Sequence, residues 1–266
     1  MSAVTPSPWA AWRAATPARL ALGRAGNAMP TAENLRLGSA HGMARDAVHA
    51  PLDTCALATA LTADGWSVAH VTSCAPDRAT YLRRPDLGRQ LDGADAERLR
   101  ALAASATAAP QLCVVVSDGL SSVAAQRHAV PLLQALRRLL PDDFNFGPVV
   151  IATQARVALA DDVGEALGAR LVASLIGERP GLSSPHSLGV YLTLDPRRGR
   201  RDAERNCISN VQPDGLSYEA AAFKLAWHIR EALARGVTGV ALKDESDLAV
   251  LDAAAPTPQQ VLLPNS

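Results

Sequence analysis

Three short, predominantly apolar runs, at 112–116, 149–152 and 171–176, constrain this chain more than any other feature of its sequence. A run of this length without polar alternation suits a strand covered on both faces. Between the first two runs, residues 124–140 set Ala125, His128, Leu132, Leu136 and Leu139 on one helical stripe. Between the second and third, residues 161–167 begin with two acids and are followed by Gly168, the pattern of a short helix with a favourable dipole at its start and a glycine stop. Residues 188–194 are a candidate fourth strand and 239–242 a candidate closing strand. Residues 217–235 form a clear helix, with Tyr218, Ala221, Ala222, Leu225, Ile229, Ala232 and Leu233 on its apolar side. Buried strands alternating with amphipathic helices predict an α/β fold with a mostly parallel sheet over 110–266. Such sheets bind ligands beyond the carboxyl ends of their strands, which directs attention to residues 117–119 and 177–181.

The first half reads differently. Residues 1–36 are an Ala-rich arm broken by Pro and Gly, with Trp9, Trp12 and Leu20 as its bulky apolar residues. The arm is either partly ordered or docks on a partner through its tryptophans. Residues 37–109 are expected to be mainly helical. Residues 31–34 offer a capping start, and Ala40, Met43, Ala44, Ala47 and Val48 then recur at helical spacing. Residues 66–71 read as a short strand, Pro85 breaks the stretch 77–91, and 95–108 form a helix with acids first. The tail from about residue 250 is Pro/Gln-rich and expected to be loose.

Composition excludes several function classes. The 26 basic residues balance 26 acidic ones, so no basic excess is available for nucleic acid or an anionic membrane. No apolar run reaches the ~18 residues of a membrane span. The first twenty residues lack the basic-then-apolar order of a secretory signal, so an intracellular protein is expected. Cys55, Cys74, Cys113 and Cys207 form no CxxC pair, and their spacings suit neither zinc nor a small disulfide scaffold. They are expected to be reduced, three of them in the core. GxGxxG after a strand, GxxxxGK[ST], HExxH and GxSxG are all absent. The six histidines are scattered, without ligand spacing.

Two loops have the residue types of a binding site. Residues 177–184 (GERPGLSS) follow a buried strand and present a carboxylate and a guanidinium on a path set by two glycines and a proline. They could equally be a strand-exit turn with a surface Glu–Arg pair. In residues 202–210 (DAERNCISN), Cys207 sits among Asn206, Ser209 and Asn210. Read by chemistry alone this is an inert cysteine in a polar turn, with Arg205 able to lower its pKa.

The segments RAATPARLALGRAGNAMPT (13–31), AHGMARDAVHAPLD (40–53), DRATYLRRPDLGRQL (77–91) and VVSDGLSSVAAQRHAVPLL (115–133) occur together with a GERPGL and an RNCISN about thirty residues apart. In combination they resemble the ethanolamine ammonia-lyase small subunit family from about residue 9 to 244. The resemblance implies a helical N-terminal part followed by a Rossmann-like domain. It implies adenosylcobalamin as cofactor, and a large subunit that binds ethanolamine and carries most of the radical chemistry within a hetero-oligomer. Family cobalamin contacts fall on Val157 in ARVAL, Glu178 in GERPGL and Cys207 in RNCISN. On this reading Cys207 touches the cofactor and is no nucleophile. Val157 would pack on the ring or base, and Glu178 would accept from an amide or hydroxyl. The segment SPHSLG at 184–189 approaches the DxHxxG of free-standing cobalamin domains. It lacks the Asp that would orient His186, so His186 is not expected to bind cobalt. The match begins near the first residue, leaving no long leader, so bacterial microcompartment and cytoplasm are both open as locations. The competing expectation is a structural assembly subunit with incidental cofactor contacts. An independent nucleotide-binding oxidoreductase is disfavoured by the missing Gly-rich fingerprint.

Overall fold

The computed structural model describes residues 4–16 and 18–247; the tail predicted to be loose from about 250 lies outside them. The elements run α1 (Thr31–His49), α2 (Thr54–Ala63), β1 (Val68–Thr72), α3 (Arg78–Arg83), α4 (Pro85–Gly88), α5 (Gly93–Ser105) and β2 (Leu112–Ser117). They continue as α6 (Ser122–Arg137), β3 (Phe146–Thr153), α7 (Leu159–Ala166), β4 (Leu171–Gly177), β5 (Leu188–Leu194), β6 (Arg205–Val211) and α8 (Tyr218–Arg235).

Local chemistry starts several of these helices. Asp53, Asp77, Asp92 and Ser217 each turn a side-chain oxygen onto the free N–H groups of the first turn of α2, α3, α5 and α8. Gly236, at φ 70°, stops α8 in the left-handed region. The start expected at 31–34 is placed correctly, but the cap is Pro30, which bonds with no side chain.

One six-stranded sheet, ordered β1-β3-β2-β4-β5-β6, carries the fold. The first four strands are parallel, and β5 and β6 are antiparallel additions beyond β4. The α/β class with a mostly parallel sheet is therefore the observed one. The candidate fourth strand is β5, and its antiparallel sense follows from length. The β4–β5 connection is only ten residues long, 178–187, and holds no helix; a parallel crossover needs a dozen or more. β1 pairs with β3 from Val68↔Val149 to Thr72↔Thr153. The strand read in the mainly helical segment thus belongs to the same sheet as the strands beyond residue 110.

Alternation along the strands feeds two cores. Val114, Val116, Ile151 and Leu175 face α2, α6 and α8, in the larger one. Val115, Val150, Ala152 and Val172 face α5 and α7, in the smaller. With both faces covered, the strands could show no polar period, which is why they read as continuous apolar runs.

Three expectations fail. Residues 239–242 are not a strand: Gly239–Ala241 is a 3-10 turn. Asn206 holds it, accepting from Gly239 N at 2.8 Å and donating to Leu242 O at 2.7 Å. The polar turn at 202–210 is largely β6, an edge strand in which only Arg205, Ile208 and Val211 are buried. Of the four cysteines only Cys113 is buried, while Cys55, Cys74 and Cys207 reach the surface.

Candidate functional site

α6, which follows β2, lies on one face of the sheet, whereas α7, which follows β3, lies on the other. The chains leaving β2 and β3 therefore diverge, and a crevice opens beyond their carboxyl ends. A cavity of about 440 Å³ occupies this position. The exit of β2 contributes Gly119 and Leu120, that of β3 Arg156 and Val157, and the end of β4 Ile176 to Arg179, with Tyr81 and Tyr191 completing the wall.

The floor is built by close backbone approach. Leu120 N donates to Gly177 O at 2.9 Å. A Cβ on Gly119, which sits at φ 52°, would lie 2.3 Å from Gly177 O. One on Gly177 would lie 1.9 Å from Ser121 O. Asp118, buried, stitches this exit to the next: it accepts from Gln154 N at 2.9 Å and Ala155 N at 3.1 Å, and pairs with Arg78 at 3.3 Å. The SDG segment thus serves the site as scaffold.

Two of the three site residues named from sequence line this cavity. Val157 is half-buried beside Arg156, and Glu178 sits at the end of β4. The Glu178 carboxylate passes over Gly189, where a Cβ would lie 3.1 Å from Oε1, and accepts from Asn210 N at 3.2 Å. Among the described residues no ion pair joins it to Arg179; its carboxylate bonds instead to the main chain of β6. Cys207 lies one strand farther out. It is the register partner of Tyr191 and the two side chains interact, which joins it to the wall of the cavity. Cys207 reaches solvent at the sheet edge, yet burial of its sulfur raises the thiol above its ordinary value, Tyr191 offsets part of this, and Glu178 adds to it. Burial also pushes Tyr191 up to about 12, helped by Cys207 and Glu178. Arg205 does not lower the thiol as the sequence suggested. It is committed to Asp161 at 2.5 Å, Thr193 at 3.1 Å and Arg200 O at 2.9 Å. A protonated, poorly acidic thiol suits a packing and weak hydrogen-bonding contact and not a nucleophile.

Sequence reasoning missed Tyr81, Arg156 and Tyr191. Tyr81 is fully buried, donates to Ala155 O at 3.1 Å, and carries the guanidiniums of Arg78 and Arg156 at 4.7 and 4.3 Å from its ring centroid. Burial pushes its phenol up to about 12. Nothing in the local pattern of 77–91 marks it; only the adjacency of Arg156 to Val157 was available as a signal. His186 lies in the β4–β5 loop and does not line the cavity; its main chain faces His128. No cluster of three or more His, Cys, Asp or Glu suited to a metal occurs among the described residues. The N-terminal arm reaches the loop that follows Glu178, where Arg19 donates to Leu182 O at 2.9 Å. Trp9 and Trp12 stay 64% and 60% exposed. A larger cavity, about 740 Å³, opens at the other end of the sheet between Trp66, Phe146 and Pro110, and none of the residues named from sequence lines it.

Residues 6–243 match the family model of the ethanolamine ammonia-lyase light chain. The chain is 52% identical to the ethanolamine ammonia-lyase small subunit of Azotobacter vinelandii over 98% of its own length and 97% of the relative's. It is 51% identical to that of Ralstonia nicotianae over 94% and 93% of the two chains. With the small subunit of Bradyrhizobium diazoefficiens the identity is 56%, over 88% and 89%.

Proposed function

Because the chain belongs to the ethanolamine ammonia-lyase light-chain family, we propose that it is the small subunit of an adenosylcobalamin-dependent ethanolamine ammonia-lyase. On this reading it contributes one wall of the cofactor site at the interface with a large subunit, and the conversion of ethanolamine to acetaldehyde and ammonia requires both chains. The observation that carries the reading is the convergence of Val157, Glu178 and the Tyr191–Cys207 pair beyond the carboxyl ends of β2, β3 and β4.

The residues fit a large amide-fringed ligand. Val157, Leu120 and Ile176 offer apolar surface, Glu178 offers a carboxylate to amide or hydroxyl donors, and Arg156 keeps a buried Nε without a partner. A cavity of about 440 Å³ is small for a whole corrinoid, in keeping with a ligand shared between two chains. When bound, the cofactor supplies a weak cobalt–carbon bond as a radical source; this chain's part is binding, orientation and exclusion of water. Ethanolamine is assigned mainly to the large subunit. The exposed Trp9 and Trp12 support an arm that docks on that partner. No described helix is long and apolar enough to cross a membrane; the proposed locations are the bacterial microcompartment or the cytoplasm.

The test is adenosylcobalamin binding by this chain, by the large subunit and by the co-expressed pair, with acetaldehyde release from ethanolamine. Binding and turnover confined to the pair, with Glu178→Gln and Cys207→Ala weakening affinity while assembly persists, are expected. Full turnover by the large subunit alone would reduce this chain to a scaffold.

A further inference from the structure

Two guanidiniums lie over the ring of Tyr81, and their surroundings differ. Arg78 has a counter-charge: it donates to Val48 O at 2.8 Å and pairs with Asp118 at 3.3 Å, with only its Nη2 buried and unpartnered. Arg156 has no carboxylate in ion-pair range among the described residues: Asp118 is taken by Arg78, Asp161 by Arg205 and Asp162 by Arg198. Among the described residues its side chain makes one hydrogen bond to protein, from Nη2 to Tyr81 O and long at 3.4 Å, and its Nε is buried with no partner. A partly buried cation with an orphaned donor is costly unless an acceptor arrives from elsewhere. The side chain is also held in place. Arg156 N donates to Gly88 O at 2.8 Å, and a Cβ on Gly88 would lie 3.0 Å from Arg156 Cγ. The result is a fixed, uncompensated guanidinium on the wall of the cavity, next to Val157. In that cavity two guanidiniums, Arg156 and Arg179, face one carboxylate, and that carboxylate, Glu178, already accepts from Asn210 N.

We infer that Arg156 is the anion-recognising group of the site and takes the phosphodiester that joins a corrinoid to its nucleotide tail. This rests on the proposed cofactor reading and sharpens it. The peripheral groups of a cobalamin are neutral amides, and the phosphodiester is its one fixed negative charge. A guanidinium stacked on a phenol face presents an edge of N–H donors in one plane, the geometry that suits two phosphate oxygens. Val157 would supply apolar contact and its neighbour Arg156 the ionic one, so that one dipeptide at the exit of β3 distinguishes a complete corrinoid from one without its nucleotide.

The experiment uses the co-expressed two-subunit complex, with cyanocobalamin and dicyanocobinamide, which lacks the phosphodiester and nucleotide, as probes in spectral titrations. Arg156→Gln is expected to weaken cyanocobalamin binding about 30-fold, as for loss of a charged hydrogen bond, and to leave dicyanocobinamide binding within about twofold. Arg156→Lys restores part of the difference. Equal losses for the two probes, or none for either, overturn the inference while leaving the site reading intact. Dissociation of the subunits in Arg156→Gln, with or without corrinoid, also overturns it, because the guanidinium then pairs with a carboxylate of the partner. Should Arg156→Gln fail to fold, the ratio of the two affinities in Arg156→Lys decides. A wild-type complex that binds neither probe refutes this inference and the cofactor reading together.

Discussion

Replacing Gly177 by alanine tests whether the backbone crossing beneath the cavity is as tight as described. The new methyl would sit 1.9 Å from Ser121 O and 2.7 Å from Asp118 O, both main-chain atoms. Relief to about 3.0 Å requires a main-chain shift of roughly 1 Å, at a cost of about 1–3 kcal/mol for overpacking. That shift stretches the 2.9 Å bond from Leu120 N to Gly177 O, and leaving that buried pair unsatisfied costs about 1–3 kcal/mol more. The sum is near 4 kcal/mol. With a urea m-value of about 2 kcal/mol/M, the midpoint falls by about 2 M. Gly181→Ala, four residues on in the β4–β5 loop, is the control: its Cβ would meet nothing closer than 3.6 Å, from Ser184 O, and its midpoint is expected within about 0.3 M of the parent. Equilibrium urea unfolding followed by far-UV circular dichroism measures both. If Gly177→Ala unfolds within about 0.5 M of the parent, the tight crossing of Gly119 and Gly177 is not the constraint on the site.

Arg205→Met leaves Asp161 buried without its cation, both side chains being 2% exposed, and should cost about 3–5 kcal/mol, whereas Arg205→Met with Asp161→Leu recovers most of it; urea midpoints of the two variants decide. The imidazoles of His128 and His186 are held below their ordinary value of 6.5, chiefly by burial. Their protonation therefore favours the unfolded chain, so the stability they contribute is present above about pH 6.5 and is lost as pH falls, with a slope of at most about 1.4 kcal/mol per pH unit for each proton. His128→Gln should flatten that acid limb in thermal unfolding between pH 7.5 and 5; an unchanged slope would contradict the burial argument. Glu178→Gln removes a charge that raises the Cys207 thiol, so alkylation of Cys207 by iodoacetamide should quicken at pH 7.5, read by mass spectrometry of the labelled peptide. A slower reaction would place Glu178 on the wrong side of the thiol.

The sequence by itself determined the central strands and the helices that follow β2 and β3. These follow from local facts: runs dominated by Val, Leu and Ile at 112–116 and 171–176, and an apolar stripe at 3.6-residue spacing on 124–140. It also named Val157 and Glu178, through the resemblance carried by ARVAL and GERPGL, and the fold brings both to one cavity. Tertiary structure decided the rest. β6 escaped because an edge strand buries few of its residues, so its Asn and Ser positions look like a turn when read along the chain. The antiparallel sense of β5 depends on how far ten residues can reach. Residues 239–242 have strand composition, but the side chain of Asn206, some thirty residues away, claims their backbone groups. Tyr81, Arg156 and Tyr191 stand far apart along the chain and have no shared spacing. They meet because β3 and β4 flank β2, and because Gly119 and Gly177 let two strand exits touch. That Arg156 lacks a carboxylate, while Arg78 over the same ring has one, is a property of three-dimensional neighbours and is written in no stretch of sequence.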